Sequence, residues 1–409
     1  MNSPSDMARA GAAATKRVPF EELRRRAQAL APVLRARAEE TERNRRVPRE
    51  TIEAVRAAEL FKLMQPARFG GFEYGFSELV EINFELARGC GSSAWCSSLG
   101  IVHQWLLALF PIQAQEDVWA NPDAILSGSY APVGKTRPAE GGYMVSGKWS
   151  FTSNCDNTEW YLLGVSFPPA REGVRPDAGF VIVPREQTTM EDDWFTVGLA
   201  GTGSKSVIIK DEVFVPAHRR ITFAEASSNN PPGAQVHTNP LYKIPLLAGL
   251  PVCICTPALG MVQGALDDFI DWIGPRTTRG AVAGGGSRMA EFPQVQSRIA
   301  EAAAAVDAAK LLLLRDTRDV EEDAANGVPI TVEKRIRNRR DQAYAVKLST
   351  QGVTALFEAV GGSGINLSNS VQRAWRDVHA VGRHISLNWD AVSTMYGQHR
   401  LGLEPKGQY

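Results

Sequence analysis

Three stretches of this 409-residue chain carry side chains that could do chemistry. The first is Gly147-Lys148-Trp149-Ser150-Phe151-Thr152-Ser153-Asn154, following the strand-like run Tyr143-Met144-Val145. A strand ending in Phe151-Thr152-Ser153 can offer backbone groups and a hydroxyl to a bound ring. Ser127-Gly128-Ser129 closes an earlier strand-like run, where small residues permit close backbone approach. The second is Gly198-Leu199-Ala200-Gly201-Thr202-Gly203-Ser204, ahead of Val207-Ile208-Ile209. The third holds His384 and Asn388. Histidine, with an unperturbed pKa near ~6.5, suits a base or a hydrogen-bond acceptor at neutral pH. His379, five positions earlier, falls on another helical face and reads as structural. His103, His218 and His237 have no recognisable partner in the sequence, and His218 is expected at the surface.

Several motifs carry no chemistry. Gly198 to Gly203 before Ser204-Lys205-Ser206 misses the phosphate-loop spacing by one residue, and no long helix follows. Gly361-Gly362-Ser363-Gly364 lies between helices, so it is not a dinucleotide fingerprint. Cys90, Cys96, Cys155, Cys253 and Cys255 fit no zinc spacing, and no metal site is expected. Five cysteines in so long a chain fit a reduced, cytoplasmic protein with structural thiols.

The elements that must position these residues change character twice. Residues 19–124 read as helical, with Phe20–Glu42, a short helix from Thr51, Phe76–Ala87 and Ser93–Phe110; the last is apolar all round and belongs in a core. Residues 125–223 read as short β runs split by Gly, Pro and Asn turns. Residues 224–244 read as a polar, proline-rich linker or lid loop. From 245 to 409 the pattern is helical again: Pro257–Ile273, Pro293–Glu322, Thr331–Val360, and one last helix from Val371 to about Tyr396. Residues 1–18 read as a disordered tail. Lys plus Arg equals Asp plus Glu at 45 each, so bulk charge makes no case for nucleic acid or an anionic membrane. No apolar run is read as a membrane span.

Taken together, the two motifs and the helix–sheet–helix order resemble the acyl-CoA dehydrogenase superfamily over nearly the whole chain. The resemblance implies an α+β fold with an N-terminal helical domain, a central antiparallel β-domain and a C-terminal four-helix bundle. It implies flavin contacts from Ser127, Gly128, Ser129, Phe151, Thr152 and Ser153, with the Ser153 hydroxyl near the flavin N5. Trp95 resembles the residue that packs over the flavin in the oxygenase branch. Arg279, with Arg276 as rival, resembles the arginine that pairs with the flavin phosphate. Gly361 and Gly362 resemble an interhelical turn that touches a neighbouring subunit's cofactor, and Arg383 and His384 complete the set.

The end of the bundle separates two branches of that superfamily. Arg373-Ala374-Trp375-Arg376-Asp377 resembles its R-x-x-R-D motif. Dehydrogenases often follow this with a glutamate base, yet no glutamate stands between Asp377 and Glu404. His384 and Asn388 instead resemble the H-x-x-x-N pattern of two-component flavin monooxygenases. That branch implies hydroxylation of a phenolic or other aromatic substrate by way of a C4a-hydroperoxyflavin. It implies O2, diffusible reduced FMN or FAD, and a separate NAD(P)H-dependent flavin reductase; the chain itself carries no nicotinamide-binding motif. His384 and Ser153 are then the expected catalytic residues, His384 as base or acceptor toward the phenol. The family's tetramers imply a homotetramer, and Leu311-Leu312-Leu313-Leu314 calls for burial on more than one face. An acyl-CoA dehydrogenase with FAD and a catalytically silent flavin-fold scaffold are the alternatives.

Overall fold

The structure, a computed structural model, describes residues 17–169, 176–277 and 286–409. Five helices open the chain: α1 (Phe20–Arg43), α2 (Arg49–Ala57), α3 (Phe76–Ala87), α4 (Gly91–Leu107) and α5 (Ile112–Trp119). Pro19, Pro48 and Pro111 stand just ahead of α1, α2 and α5, where a fixed φ and a missing N–H cost nothing. On α1, Leu23, Ala27, Leu34 and Ala38 are buried, the single inward stripe of an amphipathic helix. Helix α4 is buried along almost its whole length. Arg17 and Val18, read as part of a loose tail, are tied down. The Arg17 guanidinium lies over the Tyr74 ring at 3.8 Å, and the Tyr74 hydroxyl donates to the Val18 carbonyl at 2.9 Å.

The β-domain is one seven-stranded sheet: β1 (Leu126–Ala139), β2 (Gly142–Thr152), β3 (Trp160–Ser166), β4 (Ala178–Pro184), β5 (Thr189–Glu191), β6 (Lys205–Pro216) and β7 (Arg220–Thr222), in the order β5-β6-β2-β1-β3-β4-β7. Five pairings are antiparallel as expected, but β1 and β3 run parallel. The hairpin partner β2 occupies one edge of β1, so β3 must return to the other edge in the same direction. The runs read separately at 207–210 and 212–215 are the single strand β6. Trp149, fully buried, donates its indole N–H to the Gly164 carbonyl at 2.6 Å, tying β2 to β3 beneath the sheet.

After α6 (Phe223–Ala226), the segment read as linker or lid is pinned to the first domain. His237 Nε2 meets Gln115 Oε1 at 2.7 Å, the Tyr242 hydroxyl donates to the Met64 carbonyl at 3.1 Å, and the Trp105 indole donates to the Leu241 carbonyl at 3.0 Å. The bundle follows as α7 (Leu246–Gly249), α8 (Val252–Ile273), α9 (Pro293–Ala325), α10 (Val332–Val360), α11 (Ser370–Val381) and α12 (Trp389–Arg400). By length and composition the stretch Leu246–Ile273 could cross a membrane, contrary to the sequence reading, yet 89% of its most apolar window is buried. Its longer part, α8, is the central core helix, clasped by α3, α4, α9, α10 and α11. Gly260 makes that packing possible: a Cβ there would lie 2.4 Å from the Phe84 carbonyl oxygen of α3.

The last helix is not continuous. It ends at Val381, a short turn at Ile385–Leu387 intervenes, and α12 restarts at Trp389. His384 caps that turn and Asn388 caps α12, its side-chain oxygen accepting from the Asp390 and Ala391 amides at 3.1 and 3.3 Å. The His384/Asn388 spacing therefore comes from two successive caps rather than from one helical face.

Candidate active site

The two glycine-bearing motifs meet in a chain of buried hydroxyls. The Trp95 indole N–H, on α4, donates to Ser153 Oγ at 3.0 Å. Ser153 Oγ lies 2.7 Å from Ser204 Oγ, and Ser204 Oγ lies 2.6 Å from Thr202 Oγ1. Thr202 Oγ1 in turn donates to the Leu199 carbonyl at 2.8 Å. An indole nitrogen can only donate and a carbonyl can only accept. Satisfying all four contacts at once therefore allows a single direction, from Trp95 through Ser153, Ser204 and Thr202 to Leu199. Ser153 spends its one proton on Ser204 and keeps a lone pair free. Its backbone carbonyl also accepts a short hydrogen bond from the Ser127 hydroxyl, and the Asn154 amide donates to the Thr202 carbonyl at 2.9 Å.

The arginine-rich motif of α11 clamps this arrangement. Arg373 and Arg376 both bind Glu42 on α1, Arg376 also donates to the Val197 carbonyl at 2.8 Å, and Asp377 Oδ1 accepts from the Leu199 amide at 2.6 Å. Leu199 sits at φ 53, a left-handed conformation unusual for leucine, held by the Asp377 bond. Burial pushes the Asp377 carboxyl up to about 6, opposed by the Leu199 N–H.

His384 lies beside Trp95, with ring centroids 6.0 Å apart at 59°. Its Nδ1 accepts from the Ser386 amide at 3.2 Å. A neutral imidazole with Nδ1 so engaged carries its proton on Nε2, so the ring presents a donor rather than the basic edge expected from sequence. Although partly exposed, the ring is hemmed in by enough protein that its pKa is lowered to about 4, first by burial and then by the Arg339 charge. Arg339, on α10, donates to the Ser386 carbonyl at 2.9 Å and to Gln342 Oε1 at 3.2 Å. Burial lowers the Arg339 pKa to about 10.

Sequence reasoning missed a second histidine. His103 is fully buried; its Nδ1 meets the Leu126 carbonyl at 2.7 Å and its Nε2 meets the Tyr130 hydroxyl at 2.8 Å. Because a carbonyl only accepts, Nδ1 bears the proton and Tyr130 donates to Nε2. Burial drives His103 down to about 4 and the Tyr130 phenol well above its usual range. His218 is likewise partnered, meeting Asp117 at 2.8 Å, and is half-buried rather than loose at the surface.

Of the residues singled out in the sequence, Trp95, Ser127, Thr152 and Ser153 are buried together, and Ser129 Oγ donates to the Ser150 carbonyl at 3.0 Å. Thr152 turns inward and donates to the Trp149 carbonyl at 3.1 Å. Gly128 is small because of what lies beside it: a Cβ would meet the Leu162 carbonyl at 2.8 Å and His103 Cε1 at 3.4 Å. Phe151 projects outward, 71% exposed, at φ 62, with its ring edge-on to Trp194 at 5.8 Å. Gly361, Gly362 and Arg383 lie at the surface of the single chain. Arg279 lies outside the described residues; its rival Arg276 stacks on Trp272 at 3.7 Å. A cavity of about 480 Å³ lined by Thr158, Glu159, Tyr161, Arg185, Glu186, Thr188 and Met190 contains none of these residues.

Two family models match: the acyl-CoA dehydrogenase N-terminal domain over residues 20–123 and the C-terminal domain over residues 252–389. The chain is 49% identical, over 96% of its length and 97% of the relative's, to the oxygenase component of the FADH(2)-dependent resorcinol hydroxylase of Rhizobium sp. (strain MTP-10005). The chain belongs to the acyl-CoA dehydrogenase superfamily, in its branch of flavin-dependent oxygenase components. Within that branch it is 38% identical, over 92% of its length and 98% of the relative's, to the flavin-dependent monooxygenase oxygenase subunit HsaA of Rhodococcus jostii (strain RHA1). The solved structure of the 3-HSA hydroxylase from Rhodococcus sp. RHA1 superposes with a TM-score of 0.87 at 36% identity, covering 94% of this chain and 98% of that one. The central sheet of this chain is mixed rather than purely antiparallel.

Proposed function

We propose that this protein is the oxygenase component of a two-component flavin-dependent monooxygenase that hydroxylates a phenolic substrate with O2. The observation that carries this reading is His384. Beyond the R-x-x-R-D motif, where a dehydrogenase often has its carboxylate base, the chain has a neutral imidazole beside Trp95 with an Nε2–H to offer. The names of two relatives agree: one is an FADH(2)-dependent resorcinol hydroxylase and another a p-hydroxyphenylacetate 3-hydroxylase.

The residues fit a reduced flavin. Phe151 offers an exposed aromatic wall, Trp95 a second ring, and Ser153 a free lone pair. When bound, such a flavin supplies the activated oxygen atom that an electron-rich ring takes up. The chain's own contribution is positioning: His384 Nε2–H donates to the phenolic oxygen of the substrate, orienting the ring and stabilising charge that develops on that oxygen. Ser153 would hold the flavin at N5, accepting a hydrogen bond through the lone pair that its contacts with Trp95 and Ser204 leave free.

The reductase is a separate NAD(P)H-dependent protein. A homotetramer accounts for Leu311, Ile365 and Leu367, apolar side chains 69%, 75% and 73% exposed on the single chain. The last two adjoin Gly361-Gly362, which would then face a neighbouring copy. Five buried free thiols suit a cytoplasmic location.

Anaerobic titration with FADH2, then an oxygen pulse with and without resorcinol, tests the reading. Slow flavin reoxidation alone and hydroxylated product with resorcinol are expected. Bound oxidised FAD that is reduced by an acyl-CoA would instead make this a dehydrogenase.

A further inference from the structure

A directed chain of buried hydroxyls lies behind Ser153. We propose that Ser204 and Thr202 are specificity-determining residues that make the protein prefer reduced over oxidised flavin. The inference rests on the proposed function, in which Ser153 faces the flavin N5. Its own support is the direction of the relay. Leu199 O anchors the Thr202 proton at 2.8 Å, Thr202 Oγ1 takes the Ser204 proton at 2.6 Å, and Ser204 Oγ takes the Ser153 proton at 2.7 Å. The Trp95 N–H fills one Ser153 lone pair at 3.0 Å. The only capacity left on Ser153 is to accept.

Reduced flavin carries a hydrogen on N5 and can donate to that lone pair. Oxidised flavin has a lone pair on N5 and no hydrogen, so the two acceptors face each other with no proton between them. A buried acceptor without a donor is disfavoured, whereas the same atom with a donor is satisfied. Selectivity of this kind suits a protein that must take reduced flavin from a reductase in the presence of the oxidised form. Thr202 and Ser204 are 1% and 5% exposed, so bulk water does not readily break the relay.

The test measures equilibrium affinity and needs no turnover. The protein is titrated anaerobically with FADH2 and separately with oxidised FAD, following tryptophan fluorescence. Wild type should bind FADH2 at least about tenfold more tightly. In Ser204→Ala the Ser153 proton is released and can turn toward the cofactor. The ratio of the two dissociation constants should fall by roughly tenfold, chiefly because oxidised FAD binds more tightly. Thr202→Val should move the ratio the same way, since Ser204 no longer has a committed acceptor. Thr202→Ser, which keeps the hydroxyl, should retain the wild-type ratio. A wild type that binds both forms equally, or Ser204→Ala and Thr202→Val variants with the wild-type ratio, would overturn the relay while leaving the flavin reading intact. A wild type that binds neither form would overturn both.

Discussion

The Ser386 amide donates to His384 Nδ1 across 3.2 Å, and that one bond decides which nitrogen of the neutral imidazole carries the proton. The proton stands on Nε2, and the depressed pKa of about 4 keeps the ring neutral. The expected role of His384 therefore shifts from proton acceptor to hydrogen-bond donor. His384→Ala should lower hydroxylation by roughly 10²–10³-fold, the range for loss of one preorganised donor. His384→Gln, which still carries an N–H, should recover part of that loss. Hydroxylation should show no inflection near pH 6.5 that depends on His384. Product and oxygen consumption measured from pH 5 to 8 check this; an inflection near 6.5 that vanishes in His384→Gln would restore the general-base role.

Ser153→Ala removes the free lone pair and leaves the Trp95 N–H without its acceptor. One hydrogen bond is worth about 0.5–1.5 kcal/mol net. Unproductive release of hydrogen peroxide should rise by roughly three- to tenfold, read with a peroxidase-coupled assay. Peroxide release at the wild-type rate would remove Ser153 from the account.

Acid should weaken the fold through its neutral histidines. His103, His237 and His384 are each held at about 4 by burial, against ~6.5 in an unfolded chain. As pH falls below ~6.5 the unfolded state takes up protons first, so their contribution is present above ~6.5 and is lost toward about 4. Asp377, raised to about 6 by burial, acts in the opposite sense and loses its contribution as pH rises toward 6. The histidine part is isolated by a variant. On going from pH 7 to 5, His103→Asn should lose less stability than wild type, by up to about 2 kcal/mol. Thermal melts at the two pH values measure it, and equal losses in both proteins would contradict it.

Gly260→Ala tests the α3–α8 contact. In an ordinary exposed helix this change stabilises by about 1 kcal/mol. Here the new methyl would stand 2.4 Å from the Phe84 carbonyl oxygen, and a backbone carbonyl cannot rotate away. A loss of about 1–3 kcal/mol is expected, seen as a lowered Tm; a raised Tm would show that the two helices can part freely.

What could be read from the sequence was local. Apolar periodicity placed α3 at Phe76–Ala87, the bounds the structure has, and the resemblance carried by Gly147–Asn154 singled out Ser153 before its contacts with Trp95 and Ser204 were visible. What escaped depends on distant partners or on a coincidence of phase. The break after Val381 is hidden because Val378 and Val381 are repeated by Val392 and Met395 near helical spacing, as if one helix ran through. The parallel β1–β3 pairing and the Ser153–Ser204 contact join segments that no local pattern connects. His103 and Tyr130 are 27 residues apart and looked unpartnered until α4 lay against β1. Arg339 reads as one more arginine in a basic helix; only the turn of Ser386 against α10 sets it apart.

In the proposed reaction one atom of O2 enters an aromatic ring at the expense of reduced flavin. Turnover of the purified protein under 18O2, with FADH2 as the only reductant and resorcinol plus a panel of simple phenols as substrates, tests it most directly. One 18O atom is expected in a new ring hydroxyl of at least one phenol, with that label lost in His384→Ala. Label found only in hydrogen peroxide across the whole panel would contradict it.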